Sequence, residues 1–227
     1  MGHAPDLRES YTLLSPDQLH GDRPLQHAYV REVEGILLPY RRIRSRIDAI
    51  SCELASSFSR NAALFVYLRE GSRRFVQEIA ESIESQGLSV RFTPLPLTAK
   101  SYHGNTSTGK VVIDETELAA IRNRLNEDRE ITDVVLIEDI VDTGLTMMRT
   151  VHDIGGLRKD PAVNVSICTL LDKPGRRLDT ARDLPICYVG FVIPDLFVIG
   201  FGLDYNERFR DMDHIGIPTK EAIGRYA

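Results

Sequence analysis

Chemistry concentrates in one short run, Glu138-Asp139-Ile140-Val141-Asp142-Thr143-Gly144-Leu145-Thr146. The carboxylates at 138, 139 and 142 can hold hydroxyl groups or a divalent cation and can take a proton, while Thr143 and Thr146 offer hydroxyl donors. Small residues let consecutive backbone N–H groups converge, and a following helix adds the positive end of its dipole, so residues 142–146 read as a loop for a phosphate monoester. A phosphate cradle gains nothing from a carboxylate at Asp142, which must therefore face another part of the ligand. A ribose 5-phosphate accommodates the whole set. Its phosphate would sit on the loop, its hydroxyls or a bound metal on Glu138 and Asp139, and its reacting end at Asp142. A strand, an Asp cap and a helix without a ligand would need a single acid.

Positioning these groups takes a strand before them and a helix after them. Val134-Val135-Leu136-Ile137 has the length of a strand covered on both faces, ended by the acid pair, and residues 145–154 carry helical apolar spacing. Glu138 and Asp139 are then expected at the strand's carboxyl end, where open α/β sheets bind ligands. Residues 62–68, 88–97, 111–113, 163–171, 188–193 and 197–201 read as further strands and 36–38 as a short strand or turn, with Pro94 and Pro96 marking 88–97 as an edge or a bend. Ile43, Ile47, Ile50, Leu54 and Phe58 share one helical face, a second helix runs through Phe75, Ile79 and Ile83 to Gly87, and residues 114–130 are charged and moderately helical. Arg41, Arg42, Arg44 and Arg46 read as a solvated basic face, the sharper alternative being that one of them crosses a subunit interface towards an anion. Ser15 and Pro16 can open a short helix in an otherwise irregular arm over 1–30, and the polar, glycine-punctuated stretch 100–109 reads as a mobile loop. Alternating strands and helices predict an α/β fold with a mainly parallel sheet.

The 227 residues, 42% hydrophobic and 27% charged, suit one domain. A net charge of -5 with a pI near 5.7 argues against a nucleic-acid groove, and no stretch approaches the roughly 18 apolar residues of a membrane span. No secretory leader is apparent, so a soluble cytoplasmic protein is expected. Cys52, Cys168 and Cys187 lie among apolar neighbours and read as reduced core thiols.

The run 134–146 resembles the PRPP-binding motif of type I phosphoribosyltransferases, where an acidic pair after a strand precedes Asp-Thr/Ser-Gly-x-Thr. Lys100-Ser101-Tyr102 with Ser107-Thr108-Gly109, Leu170-Leu171-Asp172-Lys173, and the stretches 189–195 and 202–211 narrow the resemblance to the hypoxanthine-guanine branch. The resemblance implies a type I phosphoribosyltransferase fold in a single domain, with a mainly parallel twisted sheet flanked by helices over residues 36–200. A small hood would come from residues 1–35 and 201–227. It further implies purine salvage, with transfer of the 5-phosphoribosyl group from PRPP to N9 of hypoxanthine, guanine or xanthine. The products would be the nucleoside monophosphate, IMP or GMP in the first two cases, and pyrophosphate. Mg2+ would assist, in a homodimer or homotetramer.

Residue by residue, the resemblance implies that Glu138 and Asp139 hold the ribose hydroxyls and metal, and that Asp142 is the catalytic group near purine N7. Thr143, Gly144, Leu145 and Thr146 would hold the 5′-phosphate. Lys173 would donate to purine O6, Phe197 would stack on the base with Ile140 covering its other side, and the Val198 backbone would read the N1 and N2 edge. Asp204 would border the base and bind a second magnesium with pyrophosphate, which Arg210 would help to hold, while Ser101 and Tyr102 would close over the site. Leu68-Arg69-Glu70-Gly71 stands where the family usually has Leu-Lys-Gly-Gly, a loop whose backbone approaches pyrophosphate, often with a non-proline cis peptide before the lysine. Arg69 keeps the charge and Gly71 the flexibility, whereas Glu70 adds a carboxylate beside an anionic ligand. The alternative is a regulator that keeps the fold and binds nucleotide and RNA or a partner without turnover. Asp142, Lys173 and the acidic net charge favour the enzyme.

Overall fold

The computed structural model describes residues 4–8, 11–58, 63–101 and 111–226, leaving aside the side chains of Lys100 and Ser101. In chain order the elements are β1 Val33–Leu38, α1 Tyr40–Phe58, β2 Ala63–Arg69, α2 Arg73–Ser85, β3 Leu95–Ser101, β4 Val111–Ile113, α3 Glu115–Glu127, β5 Asp133–Val141, α4 Leu145–Gly155, β6 Asn164–Asp172, β7 Ile186–Val192, β8 Ile215–Pro218 and α5 Lys220–Tyr226. Pro16–Gln18 forms the expected short helix after Ser15, as a 3-10 turn. No helix among the described residues is long and apolar enough to cross a membrane.

β5 lies inside a six-stranded sheet of order β4-β3-β2-β5-β6-β7, parallel throughout except for the β3–β4 pair. Its apolar run alternates between two cores. Val135 and Ile137 join Ile43, Ile47, Phe75 and Ile79 of α1 and α2, whereas Val134 and Leu136 join Ile121, Leu125 and Ile154 of α3 and α4. Helices on both faces explain why the run is continuous and why each of these four strand residues is 0% exposed.

Several expectations need correction. β5 does not stop at Ile137 but continues through the acid pair to Val141, because β6 runs on beside it with Glu138 opposite Thr169 and Val141 opposite Asp172. Residues 88–94 are not strand; over 95–98 β3 pairs with β2 alone, as an edge segment does, and β4 covers its far side only from Ala99 onwards. Pro96 is tolerated because the N–H of Thr98 points away from β2, to Glu117, so two residues earlier the missing donor falls on the side that β4 does not reach. Residues 197–201 make only isolated bridges, as positive φ at Gly200, Phe201 and Gly202 (97°, 54° and 100°) breaks an extended path.

β1 pairs antiparallel with β8 in a separate two-stranded sheet, so residues 36–38 pair with a segment near the C-terminus rather than with the central sheet. A third core, with Leu19, Leu25, Ile36, Ile199, Phe209 and Met212, holds these segments together. Arg44 and Arg46 are not a solvated face. Arg44 pairs with Glu78 of α2 at 2.9 Å, and Arg46 pairs with Glu53 at 2.9 Å while donating to Val189 O, so both tether α1 inward. All the cysteines are free, but Cys187 is exposed and Cys52 is half-buried; only Cys168 is a core thiol.

Candidate active site

At the end of β5 the chain turns sharply into α4. Gly144, the N-cap, has φ 83°, and a Cβ there would lie 2.7 Å from Ala181 Cβ and 2.8 Å from Arg177 Cδ, so both conformation and space require glycine. The cleft at this turn holds about 190 Å³ and is lined by Arg69, Glu138, Ile140, Asp142, Thr143, Gly144, Leu145 and Thr146, with Leu68, Ala99, Val141 and Met147. Glu138 keeps part of its surface at the cleft, yet its Oε2 is enclosed and has no hydrogen-bond partner among the described residues. Burial, then the adjacent Asp139 charge and a hydrogen bond shared with it, hold the Glu138 carboxyl well above the usual carboxylate range. Asp142 Oδ1 lies 3.0 Å from Arg176 Nε, an ion pair without hydrogen-bond alignment.

A second cluster forms on Asp139. Its Oδ1 accepts the Ile140 N–H at 2.8 Å, and burial raises its pKa. The backbone of Gly71 is pressed against its other oxygen, 1.7 Å from where a Gly71 Cβ would stand. On the far side, Gly71 O comes within 2.3 Å of where a Gly202 Cβ would stand. Arg210 Nη1 donates to Gly202 O at 2.8 Å and Nη2 pairs with Asp204 Oδ1 at 3.0 Å, while Asp204 Oδ2 accepts the Glu207 N–H at 2.7 Å. Arg69 and Gly71 part company. Arg69 lines the first cleft and pairs with Glu117 at 3.1 Å, whereas Arg210 lines a separate cleft of about 570 Å³ with Glu70 and Arg74. Glu70 is exposed and pairs with Arg73 at 3.9 Å. The cis peptide joins Arg69 to Glu70, one bond later than the resemblance implies.

Beside the first cleft, Lys173 is 6% exposed and its backbone N–H donates to Val141 O at 3.0 Å, tying the ends of β6 and β5. Burial lowers the Lys173 ammonium pKa, against the opposing charges of Asp142 and Asp195. Phe197 is 50% exposed and meets Tyr205 edge-on at 5.6 Å, while Val198 is buried. Tyr102 and the Ser101 side chain lie outside the described residues, as does most of the expected closing loop.

Arg177 had no role in the sequence. It is nearly buried, donates to Asp142 O at 3.0 Å and Val141 O at 3.2 Å, and pairs with Asp172, so it pins the turn that carries Asp142. The Arg176-Arg177 pair is visible after a strand end, but nothing in one dimension says which carbonyls it meets.

Among the described residues no group of three or more His, Cys, Asp or Glu side chains could hold a metal by itself. Glu138 and Asp139 fit a magnesium that takes its other ligands from substrate oxygens and water, as this cation usually does. The enclosed, unpartnered Glu138 Oε2 is the observation behind that fit. Each Asp204 oxygen already has a partner, Arg210 on one and the Glu207 N–H on the other, so a second ion there would share the carboxylate with them.

Residues 37–206 match the family described as the phosphoribosyl transferase domain. The chain is 34% identical to the hypoxanthine phosphoribosyltransferase of Salmonella typhimurium over 80% of its own length and 93% of the relative's. It is 32% identical to the hypoxanthine-guanine phosphoribosyltransferase of Bacillus subtilis over 82% and 93%. A crystal structure of a hypoxanthine phosphoribosyltransferase from Staphylococcus aureus superposes with a TM-score of 0.67 at 30% identity, covering 86% of this chain and 97% of that one.

Proposed function

The chain belongs to the phosphoribosyltransferase family, on its hypoxanthine-guanine branch, and from that premise we propose that it transfers the 5-phosphoribosyl group of PRPP to N9 of a 6-oxopurine in purine salvage. The observation that carries this reading is the single cleft in which an enclosed Glu138, Asp142 and the turn at Gly144 face one another. The C1′–O bond to pyrophosphate breaks ahead of C1′–N9 bond formation, so positive charge develops at the ribose and negative charge on the departing pyrophosphate. Glu138 and Asp139 hold the ribose hydroxyls, and residues 143–146 hold the 5′-phosphate at the α4 N-terminus. Magnesium, when bound, supplies charge neutralisation for pyrophosphate. Arg210, released from Asp204, adds to it. Asp142 takes the proton at purine N7 as C1′–N9 forms.

Purine choice follows from complementarity. An oxo group at C6 accepts from Lys173, whereas the adenine amine would leave a nearly buried ammonium without an acceptor. Phe197 and Ile140 cover the faces of the base, and the Val198 backbone meets its N1 and N2 edge. Closure by Ser101 and Tyr102 excludes water. The same reading makes the protein a cytoplasmic single-domain homodimer or homotetramer that uses Mg2+, with assembly open to measurement by light scattering. No observation favours a non-catalytic regulator.

The test is a spectrophotometric assay with PRPP, magnesium and each of hypoxanthine, guanine, xanthine and adenine. Turnover of a 6-oxopurine and none of adenine is expected. Nucleotide or PRPP binding without turnover of any base would replace the enzyme with the regulator.

A further inference from the structure

Glu117 is a charged group that the reaction above does not use. It lies in the first turn of α3, whose N-cap Asp114 accepts from the Thr116 and Glu117 N–H groups at 2.9 Å. An Asp-x-x-Glu spacing often lets the carboxylate reach back to the N-cap N–H. Here that N–H is taken by Thr98 O at 2.9 Å, and Glu117 reaches outward instead. Its Oε2 accepts the Thr98 N–H, and its Oε1 pairs with Arg69 Nη2 at 3.1 Å. Thr98 and Arg69 are register partners on β3 and β2. One carboxylate therefore bridges the carboxyl end of β2 and the middle of β3.

The consequence for Arg69 is a division of its donors. Nη2 is held by Glu117, while Nε is enclosed and has no hydrogen-bond partner among the described residues. An N–H hidden from water is costly until something supplies an acceptor. Arg69 lines the cleft with Glu138, Asp142 and Thr146, which sets its guanidinium beside any ligand bound there. A lysine ammonium presents its donors from a single atom and could not be shared out with the same fixed geometry, whereas a planar guanidinium can.

The geometry points to Glu117 as a positioning residue for PRPP: it braces Arg69 against β3 so that the free Nε–H meets a phosphate oxygen. This rests on the transferase reading, and the arginine in place of the family's lysine becomes one half of a pair with Glu117.

Steady-state kinetics of Glu117→Ala, Glu117→Gln, Arg69→Ala and the Arg69→Ala/Glu117→Ala double variant, with PRPP and purine varied separately, test it. Glu117→Ala is expected to raise the PRPP KM about tenfold, with kcat and purine KM within about twofold. Glu117→Gln keeps a single acceptor oxygen, and its amide NH2 must face either the Thr98 N–H or Arg69, so its PRPP KM should fall between those of the parent and Glu117→Ala. The double variant should be no worse than Arg69→Ala, since the two residues act as one unit. Should Glu117→Ala fail to fold, Arg69→Ala, which leaves the Glu117–Thr98 bond in place, must show the PRPP defect by itself. An unchanged PRPP KM, a rise confined to the purine KM, or full additivity in the double variant overturns the proposal. If the parent turns over no 6-oxopurine, the transferase reading fails instead. Calorimetric titration with PRPP then makes the same comparison: weaker binding by Glu117→Ala supports the bracing role, and equal binding ends it.

Discussion

At residue scale, the proposed proton acceptor is Asp142. Its carboxylate stands 3.0 Å from Arg176 Nε, and the same arginine reaches Asp195 Oδ1 at 3.4 Å, so one cation spans the proposed proton acceptor and the segment leading to Phe197. Meanwhile Arg177 holds the Asp142 carbonyl, fixing the backbone independently of the side chain. Asp142→Asn should therefore leave the turn intact and remove only the proton acceptor. The expected result is a fall in turnover of about 10²- to 10³-fold, in the range of a lost general base, with the PRPP KM within about threefold. A raised PRPP KM at unchanged kcat would make Asp142 a binding group. The type and order of these acids were legible in the sequence, because carboxylates stacked before a Gly-Thr turn have few structural uses. Arg177 and Glu117 were not, since their partners lie on other strands and a side chain's reach leaves no periodic trace.

Among the elements, legibility followed the length and regularity of the apolar pattern. α1 and α2 each carry a buried face that repeats and β5 an apolar run buried on both faces, and each formed where that pattern puts it, β5 running on through the acid pair. β8 and α5 are short, and β8 exists only because β1 pairs with it from the other end of the chain. His214 stands just before β8 and shows how that distant pairing is secured. It is fully buried, its Nδ1 accepts the Tyr40 N–H at 3.0 Å, and its Nε2–H faces Arg23 O at 2.9 Å. Protonation would set a second ring N–H against the Tyr40 N–H. Burial accordingly lowers the His214 pKa below its ordinary 6.5, against opposing contributions from the Arg23 carbonyl, Asp22 and Asp213. Between the lowered folded value and 6.5 the unfolded chain binds more protons, so stability rises with pH across that window. Its contribution is complete above 6.5, falls on acidification towards the folded value, and is constant below it. Each unit of depression corresponds to about 1.4 kcal/mol. Denaturant melts from pH 7.5 down to about 5 should show this loss, and His214→Asn should flatten that part of the profile. An equally steep profile in the variant would assign the acid sensitivity to other groups.

For the molecule as a whole, the site is divided among segments that the chain visits at different times. The 69–71 loop, the β5–α4 turn, the segment after β6 and residues 202–210 meet only in the folded state. An unfolded chain has no equivalent arrangement, so PRPP with magnesium should bind the native form alone and stabilise it by mass action. At about 100 times Kd this is worth about 2.7 kcal/mol. For a chain of this size each kcal/mol moves Tm by about 2–4 °C, so a rise of about 5–10 °C is expected. On the proposed reading ribose 5-phosphate engages the Gly144 turn and Glu138 but has no diphosphate to reach Gly71 and Arg210, so it should bind less tightly and produce a smaller shift at equal concentration. Equal shifts from the two ligands would mean that the cluster of Asp139, Gly71 and Arg210 contributes nothing to the bound state. An unmoved Tm with both would mean that the cleft between Arg69 and the Gly144 turn is not where PRPP binds.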